Sequence, residues 1–112
     1  MTKSREQLVA RALAELGVVG AGQAGNAEDT ASVDSEVIPV LDDLAGRNIF
    51  HHGDPDQIPD DAFVHLSVVL AQSTARQFGL EPDENRRLLA ESRLRQLRAN
   101  ILSFQPLAVE YF

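Results

Sequence analysis

The sequence contains no cysteine and no tryptophan, and its aromatic residues are five phenylalanines and one tyrosine. Without cysteine the chain cannot form a disulfide or present a thiolate, which is typical of a reducing compartment. No apolar run approaches the ~18 residues of a membrane span, and no apolar stretch follows a basic N-terminus. We therefore expect neither a secretion signal nor contact with a membrane. A length of 112 residues predicts one domain.

Basic residues are also scarce, with 10 Lys and Arg against 17 Asp and Glu, for a net charge of −7. This balance argues against a general nucleic-acid-binding protein. The charges are segregated: ten acids accompany one arginine over residues 26–61, whereas six arginines outnumber four acids over residues 62–100. We expect acidic and basic surfaces that can pair one copy with another, although ordinary solvated helix faces produce the same pattern.

Apolar periodicity predicts four helices, and hence an all-α fold: a small bundle of four helices with an extended C-terminal tail. The predicted helices run over about 5–16, 32–45, 59–78 and 83–102. Ser4 with Gln7 matches a capping box, and Gly17 and Gly79 occupy positions where helices stop. Pro39 falls inside the second helix on its outer side, which predicts a kink or a late start.

The third predicted helix is apolar on two opposite faces, so both should be buried. In so small a chain, the second cover can come from a neighbouring copy. We therefore predict a subunit interface, in which the third helix contributes aliphatic and aromatic side chains and the fourth contributes arginines. Its residues are Val64, Val68, Phe78, Arg86 and Arg93.

The organisation predicted is a helical body over residues 1–102 and a docking tail over residues 103–112. Three of the six aromatic residues lie in the tail. A proline there blocks helix continuation, and the following alternation indicates a strand. For an isolated tail, the free energy gained by burying its side chains is about equal to the entropic cost of ordering its residues. The tail therefore either folds back onto its own helices or docks in a partner's groove. The predicted partner-binding residues are Phe104, Pro106, Leu107, Val109, Tyr111 and Phe112.

Three glycines in "VVGAGQAGN", residues 18–26, have the G-x-G-x-x-G spacing of a dinucleotide-binding turn. A true fingerprint lies between a buried parallel strand and a helix. Here a capped helix precedes Gly20, and Glu28 and Asp29 stand where a pyrophosphate needs positive potential. A flexible inter-helix loop accounts better for the glycines, and we expect no cofactor.

Other chemical constellations are weaker. His51, His52, Asp54 and Asp56 could hold a metal, but they occupy a Gly/Pro-rich turn without a fourth fixed partner, and an ordinary polar turn is preferred. No serine lies in a nucleophile elbow. We therefore expect neither a metal site nor an enzyme.

Two stretches carry a family resemblance: "TKSREQLVARALAELGV" at residues 2–18 and "IPDDAFVHLSVVLAQSTARQFGL" at residues 58–80. Together with the acidic helix between them they resemble the small head–tail connector proteins of tailed bacteriophages, also called adaptors, which occur in phage-derived gene transfer particles too. The likeness extends to about Ile101. Pro39 and a short C-terminus depart from the family pattern. The matching residues are Lys3, Leu8, Val9, Ala12, Leu13, Leu16, Gly17, Pro59, Ala62, Phe63 and Leu66.

The resemblance implies a ring, typically of twelve copies, below the portal protein at the capsid vertex. Such a ring extends the DNA channel and offers a surface to a tail or stopper protein. It would be assembled in the bacterial cytoplasm and located in the neck of a virion or phage-like particle. DNA would pass through its lumen without specific binding, because acidic walls repel the phosphate backbone.

A DNA-binding regulator is the alternative. The third and fourth predicted helices are joined by a short turn that contains Gly79, as in a helix-turn-helix motif. The arginines of the fourth helix, however, flank an apolar stripe, and the net charge has the wrong sign for this function.

Overall fold

The computed structural model of the chain describes residues 2–18 and 26–109, with side chains as far as residue 97. Residues 20–25, which hold the glycine motif, and the tail residues Tyr111 and Phe112 lie outside the described residues. The predicted all-α bundle is confirmed, and no helix in the described ranges is both long and apolar enough to cross a membrane. The elements are β1 Thr2–Lys3, α1 Arg5–Glu15, α2 Ala27–Gly46, β2 Ile58–Pro59, α3 Asp60–Thr74, a 3₁₀ turn Ala75–Phe78 and α4 Glu84–Val109.

Both ends of α1 follow from local sequence. The Ser4 hydroxyl accepts a hydrogen bond from the Gln7 amide at 3.1 Å, and the Ser4 amide donates to Gln7 Oε1 at 2.8 Å. This is the predicted capping box. At the other end Gly17 adopts a left-handed φ of 75°. The amide of Val18 then donates to the carbonyl of Leu13, as in a Schellman motif.

The helix α2 begins at Ala27, so the predicted start at Ser32 is wrong. Asn26 is the cap, and its side chain accepts a hydrogen bond from the Asp29 amide at 2.7 Å. Acidic residues in the first turn then meet the positive end of the helix dipole. Pro39 lies inside the helix with its ring exposed, so it neither delays the start nor divides the element.

A two-strand pairing, which the sequence did not predict, joins the segments that lead into α1 and α3. Thr2 lies opposite Pro59 and Lys3 opposite Ile58, in antiparallel register. The Lys3 ammonium also lies 5.9 Å from the ring centroid of Phe63, a cation–π distance. Strands of two residues are too short to show an alternating pattern, which explains why the sequence carried no signal for them.

The helix α3 occupies the centre of the core and contacts α1, α2 and α4. The chain itself buries most of both apolar faces, but it leaves Val64 of the second face 45% exposed. The core draws on every helix. Its buried members include Leu8, Val9, Leu13, Val33, Val37, Leu41, Leu44, Ile49, Phe63, Leu66, Val69, Leu70, Ala90 and Leu94.

The helix α4 continues to Val109, past the end predicted at Leu102. Residues 103–109 are therefore helical rather than extended, and the strand predicted from Leu107 is not formed as far as Val109. Pro106 removes one backbone hydrogen bond and disfavours a helix interior by about 3 kcal/mol, but it does not forbid a helix. An alternation of a few residues without a pairing strand is a weak determinant of β-structure.

Two glycines test the role of backbone conformation. Gly79 has a φ of 73°, whereas Gly46 closes α2 without a positive φ, and an added methyl group would meet nothing within 4 Å at either position. We expect Gly79→Ala to lower the free energy of unfolding by about 1 kcal/mol, because alanine disfavours the left-handed region. Gly46→Ala should raise it by up to about 1 kcal/mol. Urea unfolding followed by circular dichroism measures both, and equal effects at the two positions would contradict this account.

Candidate subunit interface

Four of the five predicted interface residues come together in one groove between α3 and α4. Val64 and Val68 contribute from α3, and Arg86 and Arg93 from α4. Phe78 does not join them, because it is half-buried against the main core. The groove has a volume of about 180 Å³ and is completed by His65, Leu89 and Ala90. It is smaller than the ~300–1,000 Å³ typical of small-molecule sites, so its size suits a single side chain of a protein partner.

The groove has an apolar floor and an apolar rim. Val68 and Ala90 form the floor and are buried, while Val64 and Leu89 line the rim and are 45% and 57% exposed. Single exposed aliphatic residues are common on protein surfaces. Two of them lining one concave site, over a floor that is also apolar, form a surface that a partner can cover favourably.

Three residues of this groove, His65, Leu89 and Ala90, were not among the predicted interface residues, and Leu89 is the exposed apolar one. The apolar stripe of α4 runs through Ala90, Leu94 and Leu97, and adjacent Leu88 and Leu89 fall outside it. An apolar residue outside the stripe of an amphipathic helix is the signal that could have identified it. Leu88 is 54% exposed but does not line the groove.

The two arginines of the groove differ in their partners. Arg86 donates through Nε to Glu15 of α1 at 2.7 Å, so part of its binding capacity is already used within the chain. Arg93 donates only to Gln96, at 3.3 Å, and has no carboxylate within ion-pair distance in the part of the chain that the structure describes. Arg93 can therefore bind an acidic group from outside.

The rotation of α4 that exposes this surface is set by a buried carboxylate, Glu91. Its side chain is only 2% exposed. Arg47, from just beyond the end of α2, donates to both of its oxygens at 3.0 Å, and Arg87 donates at 2.6 Å. Asp43 and Glu84 bind the outer sides of the two arginines. A buried charge is tolerated only when it is paired and hydrogen-bonded in this way.

The network also acts on the arginines. Hydrogen bonds to Glu91 and then Asp43 raise the pKa of Arg47, and a hydrogen bond to Glu84 raises the pKa of Arg87 against the opposing effect of desolvation. Both guanidinium groups are therefore charged at any pH at which the protein folds. Sequence reasoning missed Glu91, because its main partner lies 44 residues away.

The structure does not assemble the alternative metal site. His51 Nε2 lies 2.9 Å from Asn48 Oδ1, and Asp54 Oδ1 accepts a hydrogen bond from the Asp56 amide in a local turn. No group of three acidic or histidine side chains suited to a metal ion occurs among the residues described. The segment forms local turns, in which His52 Nδ1 is buried without a hydrogen-bond partner among the described residues.

The arginines at the start of α4 bear on the helix-turn-helix alternative. A recognition helix contacts DNA bases mainly through the residues of its N-terminal part. In this protein those positions include Arg86, bound to Glu15, and Arg87, bound to Glu84 and Glu91. Carboxylates of the same chain therefore already bind these two arginines.

The predicted tail residues divide between two regions. Phe104, Pro106, Leu107 and Val109 belong to the last turns of α4, whereas the final two aromatic residues lie outside the described part of the chain.

No protein-family model, curated protein or solved structure matches this chain. Function is therefore inferred from the residues, their geometry and the resemblance carried by the first and third helices.

The contribution of the buried carboxylate can be measured against an exposed one. We expect Glu91→Gln to lower the free energy of unfolding by about 2–3 kcal/mol, because it leaves Arg47 and Arg87 without their shared anion. Glu84→Gln removes a partner of the same Arg87 at an exposed site and should lower it by less than about 1 kcal/mol. Urea unfolding of the two variants distinguishes these values, and similar losses would show that burial of Glu91 is unimportant.

Proposed function

We propose that the protein is a structural subunit of a ring that connects head and tail in a tailed bacteriophage or a phage-like particle. The observation that carries this proposal is the groove between α3 and α4. Residues expected at a subunit interface converge there, although they come from two helices. The resemblance of α1 and α3 to head–tail connectors supplies the biological setting. The proposed role is structural, with no catalytic step.

A ring requires two different complementary surfaces on each subunit, since a heterologous contact must repeat around an axis. The charge distribution is consistent with such a pair. The outer side of α2 carries exposed acids such as Glu28 and Asp42, while α4 carries exposed Arg93 and Arg95. These pairs are modest individually, and their contribution is larger when the contact is repeated in a closed assembly.

The proposed partners are the portal protein, neighbouring copies of the same chain, and a tail or stopper protein. In this arrangement DNA passes through the lumen, and an overall charge of −7 per subunit disfavours its adhesion to the wall. The ring would lie in the neck of the particle, and twelve copies is the number that the resemblance implies.

The proposal is tested with the purified protein and the portal protein of the same particle. We expect a monomer or weak oligomer in dilute solution, because few large apolar side chains are exposed among the described residues, and a ring once portal is added. Mass photometry and negative-stain microscopy measure both states. A stable ring without portal would refute assembly on the partner, and failure to bind portal at all would refute the proposed function.

Deletion of residues 104–112 tests whether the end of the chain is needed for incorporation into the ring. It removes the end of α4 together with the predicted docking residues, but leaves the described core intact. We expect the melting temperature to change little and incorporation into the ring to be lost. Incorporation at the level of the intact chain would show that the helices alone make the contact.

A further inference from the structure

The α3–α4 groove has the chemistry of a receptor for an aromatic side chain next to an acid. Val64 and Leu89 provide an apolar rim and Val68 an apolar floor, around a space suited to one side chain. Arg93 lies at the edge and lacks a carboxylate partner within the described chain. An arginine next to an aromatic ring also gains a cation–π contact.

The sequence contains a segment that fits this description. Residues 107–112 read "LAVEYF", and Tyr111 followed by Phe112 is the one place where two aromatic residues are adjacent. Glu110 precedes them directly. The segment therefore supplies an apolar anchor and a negative charge next to each other, which complements Arg93 and the apolar walls of the groove.

This segment cannot reach the groove of its own molecule. Arg93 and Val109 lie on the same helix, α4, sixteen positions apart. At a rise of 1.5 Å per residue, that separation is about 24 Å. The three residues after Val109 span at most about 11 Å when fully extended. With α4 intact, a segment that fills this groove must come from another copy.

We propose that residues 107–112 of one copy dock in the α3–α4 groove of the next copy, with Tyr111 or Phe112 between Val64 and Leu89 and with Glu110 paired with Arg93. The contact joins two different surfaces, so it is head-to-tail, and on the portal it can repeat around the axis until a ring closes. It deepens the proposed function, and only its role in a connector ring rests on that function. A single contact is weak, and closure around a ring makes it effective.

The absence of natural cysteine allows a direct test in the full chain. Leu89→Cys places a thiol in the groove and Tyr111→Cys places one in the docking segment. Leu88→Cys is the control, because Leu88 is adjacent and equally exposed but does not line the groove. Each groove or control variant is mixed with the Tyr111→Cys variant under mild oxidation without portal, and disulfide-linked heterodimers are quantified by mass spectrometry.

We expect about tenfold more heterodimer with Leu89→Cys than with Leu88→Cys, since docking raises the effective concentration of the paired thiols. Arg93→Glu in the groove variant should reduce the yield, and Glu110→Arg in the tail variant should restore it. Equal yields for Leu89→Cys and Leu88→Cys would overturn the proposal. A preference for Leu89→Cys homodimers would also overturn it, because it indicates groove-to-groove contact. So would a failure of Glu110→Arg to restore the heterodimer yield that Arg93→Glu reduces.

These outcomes are separable from those of the proposed function. Selective cross-linking combined with failure to bind portal would leave the head-to-tail contact in place and refute the connector role. Ring formation on portal without selective cross-linking would support the connector role and refute the head-to-tail contact. The segment would then be assigned to portal instead of a neighbouring copy.

Discussion

The apolar character of α3 on nearly all sides is the constraint on which the rest of the fold depends. A helix of this kind is stable in water only when other elements surround it. In this chain α1 and α2 contact α3, and α4 packs against it as well. The buried positions of those helices all face this shared core. The chain thus provides within one copy most of the cover that its sequence suggested a neighbour would supply, and leaves Val64 exposed.

The helix α4 differs from the other helices around α3, because it packs through a narrow apolar stripe together with ion pairs. Ala90 and Leu94 are buried, and Glu91 lies between them among the positions that face inward. Because Glu91 must reach Arg47, the helix has one preferred rotation about its axis. That rotation places Leu89 and Arg93 on the outer surface next to Val64. A buried ion pair can thus specify a surface even when its net contribution to stability is small.

The proposed connector role and the head-to-tail contact both depend on this exposed surface. Leu89 and Val64 could have been buried by a wider stripe on α4, and the groove would then not exist. Arg93 also remains without an acidic partner in the described part of the chain, whereas Arg86 and Arg87 are bound to neighbouring carboxylates. An apolar groove with a free cation at its edge is suited to a protein partner that carries an acid next to an aromatic residue.

The sequence by itself determined the helical class of the fold and several helix ends, because these depend on residues within a single turn. The Ser4–Gln7 capping box, the left-handed Gly17 and the left-handed Gly79 are such cases. It also grouped Val64, Val68, Arg86 and Arg93 as interface residues, and the fold brings these four into one groove, with Val68 buried in its floor. The early start of α2 was missed because Asn26 is a cap without an apolar stripe directly behind it.

Only the tertiary structure decided which charges are paired and which remain free. Arg47 binds Glu91 across 44 positions, and Arg86 binds Glu15 across 71. No local pattern encodes such pairs, because they depend on how whole helices pack. The same packing decided that Leu89 lines the groove while Leu88 does not, and that α4 carries its distal end about 24 Å from Arg93. Helix periodicity specifies a face, but the neighbour on that face is specified by the fold.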